Sequence, residues 1–420
     1  MEAFSIEGGH RLFGTVAIPG AKNSVLPLLA ASILCRGTVR LYHVPMLSDV
    51  RASLQILDSL GCVAQYESGT VSVASGHLCS STVPPRLMCM MRSSVLYLAP
   101  LLVRTGRAVI TQPGGCQLGA RPIDLHLAGL VAMGARVAQE SQMHKIILTA
   151  PFGLYGADFT LRFPSVGATE TLLMAAVTAR GNTVLRNVAT EPEITDLARF
   201  LQAAGARISG IGTRTLHIIG QDALLGAQHT VCPDRIVAAT VLCAVAGCGG
   251  EAILTQCNPS HLTPILDALR RAGCACVARD HRTVTISSNG QLQMPQLLEA
   301  AVYPALPTDA LPLLCAAFLQ ANGTGIFNDT VFENRFACAK GFAALGAQVQ
   351  LHGAALTLHG VPKLYAAKLQ AEDLRGGAAL ALAAMLAQGT SILDGTELIM
   401  RGYENFAALF SNLGARITQL

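Results

Sequence analysis

No uninterrupted apolar stretch in this 420-residue chain approaches the roughly 18 to 20 residues that a membrane-spanning helix needs, although 51% of its residues are hydrophobic. The longest runs, Val25 to Cys35 and Ile236 to Gly247, stop short, so no membrane span is expected. Charge is sparse: only 13% of residues carry one, and 30 Lys+Arg stand against 26 Asp+Glu for a formal charge of +4. That balance speaks against disorder and against a basic nucleic-acid-binding tail, so no nucleic-acid partner is expected. No CxxC pair or Cys/His zinc spacing occurs, which argues against a structural metal. Most of the thirteen cysteines sit singly in apolar helix-like runs (Cys35, Cys243, Cys315) or beside strands (Cys62, Cys274, Cys276). They read as small buried hydrophobes in a reducing compartment. Met1 and Glu2 lead into a strand-like Phe4-Ser5-Ile6 with no basic segment before an apolar one, so no secretion signal is expected and the cytoplasm is the expected location. The length exceeds what one core accommodates, and two domains are expected.

What the chain does have is internal repetition. A helical run ending in Gly and a small residue, followed by a strand, recurs at Gly61, Gly134, Gly205, Gly273, Gly346 and Gly414, with spacings of 73, 71, 68, 73 and 68. A second glycine, ending an apolar run before another strand, recurs at Gly37, Gly106, Gly181, Gly250, Gly323 and Gly389, with spacings of 69, 75, 69, 73 and 66. Two markers keeping one period six times indicate six βα-type units, three to each half. Each unit begins with an apolar helix, such as Ser24 to Arg36 or Ala310 to Asn322, that shows little polar face and must be buried on nearly all sides. A strand follows, then an amphipathic helix such as Ile194 to Ala204, with Ile194, Leu197, Phe200 and Leu201 inward and Asp196 and Arg199 outward. Two further strands close the unit, and glycine at the helix end is the left-handed cap expected there.

The apolar helices start at one phase of the repeat, so their N-terminal mouths should gather on one side of each half. That phase carries Lys22-Asn23, Arg92, Ser165-Val166-Gly167, Asp234-Arg235, Asp309 and Asp373 with Arg375. The starts of the amphipathic helices add Arg121-Pro122, Glu333-Asn334-Arg335 and Arg401-Gly402. Arginines outnumber lysines 25 to 5, so a single Arg carries little weight; the shared phase does. Any one of them can be a helix cap or an interface ion pair. As a set, helix N-termini with guanidinium forks suit phosphates and carboxylates, and an anion-binding cleft is expected. Cys116 stands apart from the other thiols. It lies in Thr111 to Arg121, among Pro113, Gly114, Gly115 and Gly119, which describes a mobile electropositive loop with a reactive thiol. His126, on the next helix, reads as a packed or capping side chain.

Several motifs carry a resemblance along the whole chain. They are Pro19-Gly20-Ala21-Lys22-Asn23-Ser24, Gly114-Gly115-Cys116, Gly119-Ala120-Arg121-Pro122-Ile123-Asp124-Leu125-His126, Pro164-Ser165-Val166-Gly167-Ala168-Thr169-Glu170 and Glu191-Pro192-Glu193-Ile194. Pro307-Thr308-Asp309, Phe332-Glu333-Asn334-Arg335-Phe336 and Arg401-Gly402-Tyr403-Glu404 complete the set. The chain resembles the UDP-N-acetylglucosamine 1-carboxyvinyltransferases. The resemblance implies an α/β fold of two inside-out barrel domains with six βαβαββ-type repeats, three per domain, related by internal pseudo-threefold symmetry. Residues 22–232 would form one domain, and residues 1–21 with 233–420 the other, with the active site in the cleft between them. It implies transfer of the enolpyruvyl group of phosphoenolpyruvate to the 3-hydroxyl of UDP-N-acetylglucosamine with release of phosphate, the first committed step of peptidoglycan and cell-wall synthesis. No cofactor is implied.

By matching position, Lys22, Asn23, Arg92, Arg121, Arg335 and Arg401 are expected to bind phosphoenolpyruvate. Asn23, Arg92, Arg121, Pro122, Ile123, Asp124, Leu125, Ser165, Val166, Gly167, Asp309 and Val331 are expected to bind the UDP-sugar. Cys116 is the implied lid thiol and the target of phosphonate epoxide inhibitors, and Asp309 the base for the sugar hydroxyl. Cys116, Asp309, Lys22 and Arg401 form the implied catalytic set, with Arg335, Asp373 and Arg375 serving closure. The chain departs from the family at Leu398-Ile399-Met400, where His-Ile-Asp is common, and at Gly376-Gly377-Ala378-Ala379, where small hydroxyl residues are common. Two alternatives stay open: a divergent, weakly active or non-catalytic UDP-sugar-binding relative, and the sister enzyme that uses shikimate 3-phosphate.

Overall fold

The computed structural model of the protein describes residues 3–111, 123–140 and 145–420, with backbone alone at positions 139 and 140. The described residues fall into two compact units, one taking in the chain up to Pro19 and from Pro233 to Leu420, the other lying between Gly20 and Cys232. Among the described residues no helix is long and apolar enough to cross a membrane.

One sheet plan recurs in both units. In the Gly20–Cys232 unit, Val39–Tyr42 pairs antiparallel with Thr70–Ala74, which pairs with Val63–Glu67, while Gln228–Thr230 runs parallel along the other edge of Val39–Tyr42. Asn182–Arg186 repeats this with Thr215–Ile219, Arg207–Ser209 and the parallel strand Asp158–Thr160. Arg107–Thr111 keeps the antiparallel part with Lys145–Thr149 and Arg136–Glu140, its parallel edge reduced among the described residues to a single bridge between Thr82 and Val109. In the other unit the plan is built on Gly250–Thr255, Thr324–Asp329 and Thr390–Asp394. Here the start of the chain completes two sheets. Ala3–Glu7 pairs with Thr390–Asp394 and Arg416–Gln419, and Leu12–Ala17 runs parallel to Gly250–Thr255. Those ladders explain why the first residues belong with the chain beyond Pro233.

The apolar helices occupy the interior of each unit, with the sheets outside them. Leu311–Ala317 is buried at every position, Leu374–Leu386 at all but Leu374, and Arg235–Cys248 at all but its last two, and the three pack on one another. Helices without a polar face have no solvent side to present, so three of them bury one another while the sheets supply the wetted surface. The Lys22–Ala31, Leu98–Thr105 and Val166–Ala176 helices serve the same role in the other unit.

Glycine behaves as the repeat requires. All six helix-ending glycines, and five of the six that precede strands, have left-handed φ. The exception, Gly37, is needed for proximity, because a Cβ there would stand 2.8 Å from Gly226 N.

Two local expectations are corrected. The apolar helices are shorter than their hydrophobic runs: Lys22–Ala31 tightens into a 3-10 turn at Ser32–Leu34, and Leu311–Ala317 ends where Phe318 N is shared between the Leu314 and Cys315 carbonyls. Asp196 faces inward, not outward. Its carboxylate accepts from Ser24 Oγ and from Cys232 N at 3.2 Å, and meets His229 Nε2 at 2.8 Å. A buried carboxylate is tolerated where donors surround it, and these tie the Pro192–Ala203 helix to the start of the Lys22 helix.

Candidate active site

The three core helices of the Pro233–Leu420 unit begin alike and then diverge. Asp234 caps the first, its Oδ1 accepting from Ile236 N at 2.8 Å and Val237 N at 3.0 Å. Asp373 caps the third, accepting from Arg375 N and Gly376 N at 2.9 Å each. In both, Oδ1 takes the backbone amides in the usual capping manner. Asp309 holds the equivalent place on the second but sits in a 3-10 turn, Thr308–Ala310, and makes no cap. Its carboxylate instead receives the arginines: Arg375 Nε lies 3.1 Å from Oδ2 and Arg335 Nη2 3.1 Å from Oδ1. Arg235, stacked 5.6 Å over the Tyr303 ring, acts on the same carboxylate.

Three guanidinium groups act on this one carboxylate, while Asp329 also faces Arg335 and Asp234 acts on Arg375. Burial pushes the Asp309 pKa up, but Arg375, Arg335 and Arg235 outweigh it and hold the group well below the usual carboxylate range. Burial likewise disfavours the Arg375 cation, and Asp309, Tyr403 and Asp234 more than restore it. Arg335, 1% exposed, is fixed from several sides: Nε meets Thr308 Oγ1 at 2.9 Å and Asp329 Oδ2 at 3.4 Å, and its guanidinium lies 4.8 Å over the Phe332 ring. Asp329 in turn accepts from Val331 N, Phe332 N and Thr308 Oγ1. Among the described residues Nη1 of both Arg335 and Arg375 is buried without a hydrogen-bond partner, so each guanidinium keeps a donor in reserve. The Asp309 side chain remains 27% exposed, which keeps it within reach of a ligand.

The chain segment bearing Arg401 packs against the start of the third helix. A Cβ at Gly402 would stand 2.9 Å from both Leu374 methyls and 3.4 Å from Arg375 Nη1, so the glycine lets the turn lie close against those side chains. Tyr403 Oη meets Thr240 Oγ1 at 2.7 Å and anchors the segment. The departure at Gly377 fits the packing around it, since a Cβ there would stand 2.9 Å from Ile399 Cγ1 and from Ala371 Cβ. Gly377→Ser should therefore destabilise the protein by about 1 to 3 kcal/mol through overpacking, with Ile399→Ala recovering part of the loss in chemical denaturation of the double variant.

In the Gly20–Cys232 unit, Lys22 opens its helix with Nζ 2.7 Å from Asp49 Oδ2, both side chains buried. Neighbouring Asn23 is exposed and Arg92 half-buried. Ser165 caps the Val166–Ala176 helix, its Oγ accepting from Ala168 N at 3.4 Å. Asp124 opens the Asp124–Ala132 helix and pairs with Arg162; Ile123 and Leu125 flank it half-buried. Val331 lies in the other unit, beside Asp329. Cys116, Arg121 and Pro122 lie outside the described residues.

Asp309, Arg335 and Arg375 are thus brought together in one unit, and Lys22 and Arg92 belong to the other. Asp49, Asp329, Arg235 and Thr308 were not singled out from sequence as site residues. Arg235 carried a signal in its phase in the repeat, and Thr308 stands in the Pro307-Thr308-Asp309 motif; Asp49 and Asp329 fall in no such motif, and their pairing with Lys22 and Arg335 depends on tertiary contacts.

The family model described as EPSP synthase (3-phosphoshikimate 1-carboxyvinyltransferase) matches residues 6–409. UDP-N-acetylglucosamine 1-carboxyvinyltransferase 2 of Carboxydothermus hydrogenoformans is 42% identical over 100% of both chains. The UDP-N-acetylglucosamine 1-carboxyvinyltransferase of Acinetobacter baylyi is 40% identical, again over 100% of both. Among solved structures, the enolpyruvyl transferase NikO from Streptomyces tendae matches with a TM-score of 0.90 at 25% identity, over 100% of this chain and 98% of that one. EPSP synthase from Acinetobacter baumannii matches over 100% of both chains with a TM-score of 0.78, but at 19% identity it shows the fold alone. The broad family model therefore resolves toward the relatives at about twice that identity, and the chain belongs to the UDP-N-acetylglucosamine 1-carboxyvinyltransferase family of enolpyruvyl transferases.

Proposed function

We propose that this enzyme transfers the enolpyruvyl group of phosphoenolpyruvate to the 3-hydroxyl of UDP-N-acetylglucosamine, releasing phosphate, in the first committed step of peptidoglycan synthesis. The observation that carries the reading is the gathering of Arg235, Arg335 and Arg375 on Asp309. The reaction joins two anionic substrates and develops charge on a tetrahedral ketal, and fixed guanidinium groups in a partly buried site stabilise such charge without reorganising.

In this reading the sugar oxygen attacks C2 of phosphoenolpyruvate while C3 gains a proton; the ketal then loses phosphate from C2 and a proton from C3 to leave the enol ether. Asp309 takes the proton from the sugar hydroxyl. Held by arginines it is a weak base, but anions arriving on those guanidinium groups reduce their pull and raise its basicity as the substrates assemble. Lys22, Arg92, Arg121 and Arg401 hold phosphoenolpyruvate, Asn23 contacts the sugar, and the Val166–Ala176 helix start with Asp124 and Leu125 holds the nucleotide.

Phosphate release on mixing the enzyme with phosphoenolpyruvate and UDP-N-acetylglucosamine tests this; release with shikimate 3-phosphate instead overturns it. Leu398 and Met400 favour a second reading, a non-catalytic UDP-sugar-binding relative, since this stretch is apolar and Ile399 is fully buried in the core. Binding of the nucleotide sugar without phosphate release would select it.

Cys116 is proposed as a lid thiol that phosphonate epoxides alkylate. Burial pushes the Cys35, Cys248 and Cys276 thiols up to about 12 and Cys62 up to about 11, so these should stay unlabelled near pH 8 in the folded enzyme. Exposed Cys79 and Cys89 serve as internal references. Mass-spectrometric labelling should show the sugar nucleotide changing the Cys116 rate and sparing theirs; equal rates with and without ligand would remove the lid role.

A further inference from the structure

We propose that His126 is a further nucleotide-binding residue, donating a ring N–H to a diphosphate oxygen held at the start of the Val166–Ala176 helix. This rests on the reading of the substrate as a nucleotide sugar. His126 is 6% exposed, and among the described residues neither ring nitrogen has a hydrogen-bond partner. The ring is aimed at that helix start: a Cβ on Gly167, the second residue of the helix, would stand 3.0 Å from Nε2. The approach depends on a glycine in each helix, since a Cβ at Gly129 would strike the Leu172 side chain at 2.4 Å. A histidine that only packed would be expected to find a partner for its buried polar atoms. Here an unspent donor lies beside a helix end whose first amides lack intrahelical acceptors.

The charged groups acting on the ring are Arg92, which disfavours its protonation, and Asp124, which favours it and is itself paired with Arg162. Burial, with Arg92 adding to it, pushes the pKa down to about 4, so the imidazole is neutral at working pH. A neutral ring supplies one donor without adding another cation. An anionic oxygen placed against it would oppose Arg92 and raise its pKa.

Two measurements test this on the intact enzyme. In wild type, the His126 imidazole resonance titrated by NMR should shift its pKa upward on adding UDP. Calorimetry with UDP should show Kd about tenfold weaker for His126→Phe, in the range of a lost hydrogen bond to a charged group, with His126→Gln recovering part. Steady-state kinetics should show the KM for the sugar nucleotide rising in step, with kcat and the KM for phosphoenolpyruvate within about twofold. A wild-type titration unmoved by UDP, or unchanged UDP affinity in His126→Phe, overturns the proposal. Because UDP binding is read apart from turnover, wild type that binds UDP through His126 but releases no phosphate leaves this inference standing while the reaction assignment falls.

Discussion

Asp309→Asn lowers kcat by about 10²- to 10⁴-fold, the contribution of a positioned base, and leaves the affinity for UDP-N-acetylglucosamine within about threefold. The asparagine keeps the size of the side chain and an acceptor for one arginine, but it cannot take the sugar proton. It also removes a negative charge that acts on Arg235, Arg335 and Arg375 alike, so phosphoenolpyruvate should bind as well or better while turnover collapses. That combination separates a base from an architectural carboxylate, whose loss would weaken binding together with rate. Steady-state kinetics of phosphate release over both substrates reads it. Near-normal kcat in this variant would remove Asp309 from the base role.

Arg335→Leu should cost about 3 to 5 kcal/mol of stability, because removing one partner of a buried ion pair strands the other. Asp329, whose side chain has no exposure, would lose its cation and keep only Thr308 Oγ1 and the amides of Val331 and Phe332. Those three donors place the expected loss toward the lower end of the range. Urea denaturation gives the value, and Arg335→Lys, which keeps charge but loses the fork, should fall between. The pH dependence follows from the depressed pKa of Asp309. A carboxylate whose folded value lies below its unfolded one contributes fully above the unfolded value, about 4, and loses that contribution as pH falls through the folded value. The deficit of Arg335→Leu should therefore stay constant near neutrality and narrow only in acid below about pH 4. A deficit under 1 kcal/mol at neutral pH would contradict the buried-pair account.

Much of the architecture was legible because it is periodic. Gly205 and Gly346, say, mark the same backbone event in different units, and both have left-handed φ. Buried helices such as Leu374–Leu386 announce themselves by lacking a polar face. Legibility fails where a side chain answers to something distant. Asp196 falls on the polar side of an amphipathic run, yet it turns inward because Ser24, 172 residues earlier, offers a donor. Asp234, Asp373 and Asp309 occupy one phase of the repeat, and nothing local says that the first two cap helices while the third receives Arg335 and Arg375. The pairing of Lys22 with Asp49 is hidden for the same reason. Phase in the repeat located the charged helix mouths; the distribution of charge within them depends on tertiary contacts.

Mass spectrometry of a reaction containing the wild-type enzyme, phosphoenolpyruvate and UDP-N-acetylglucosamine addresses the central claim most directly. The account predicts a nucleotide sugar carrying one added enolpyruvyl group, formed in step with inorganic phosphate. Binding of both substrates with neither product appearing would contradict it.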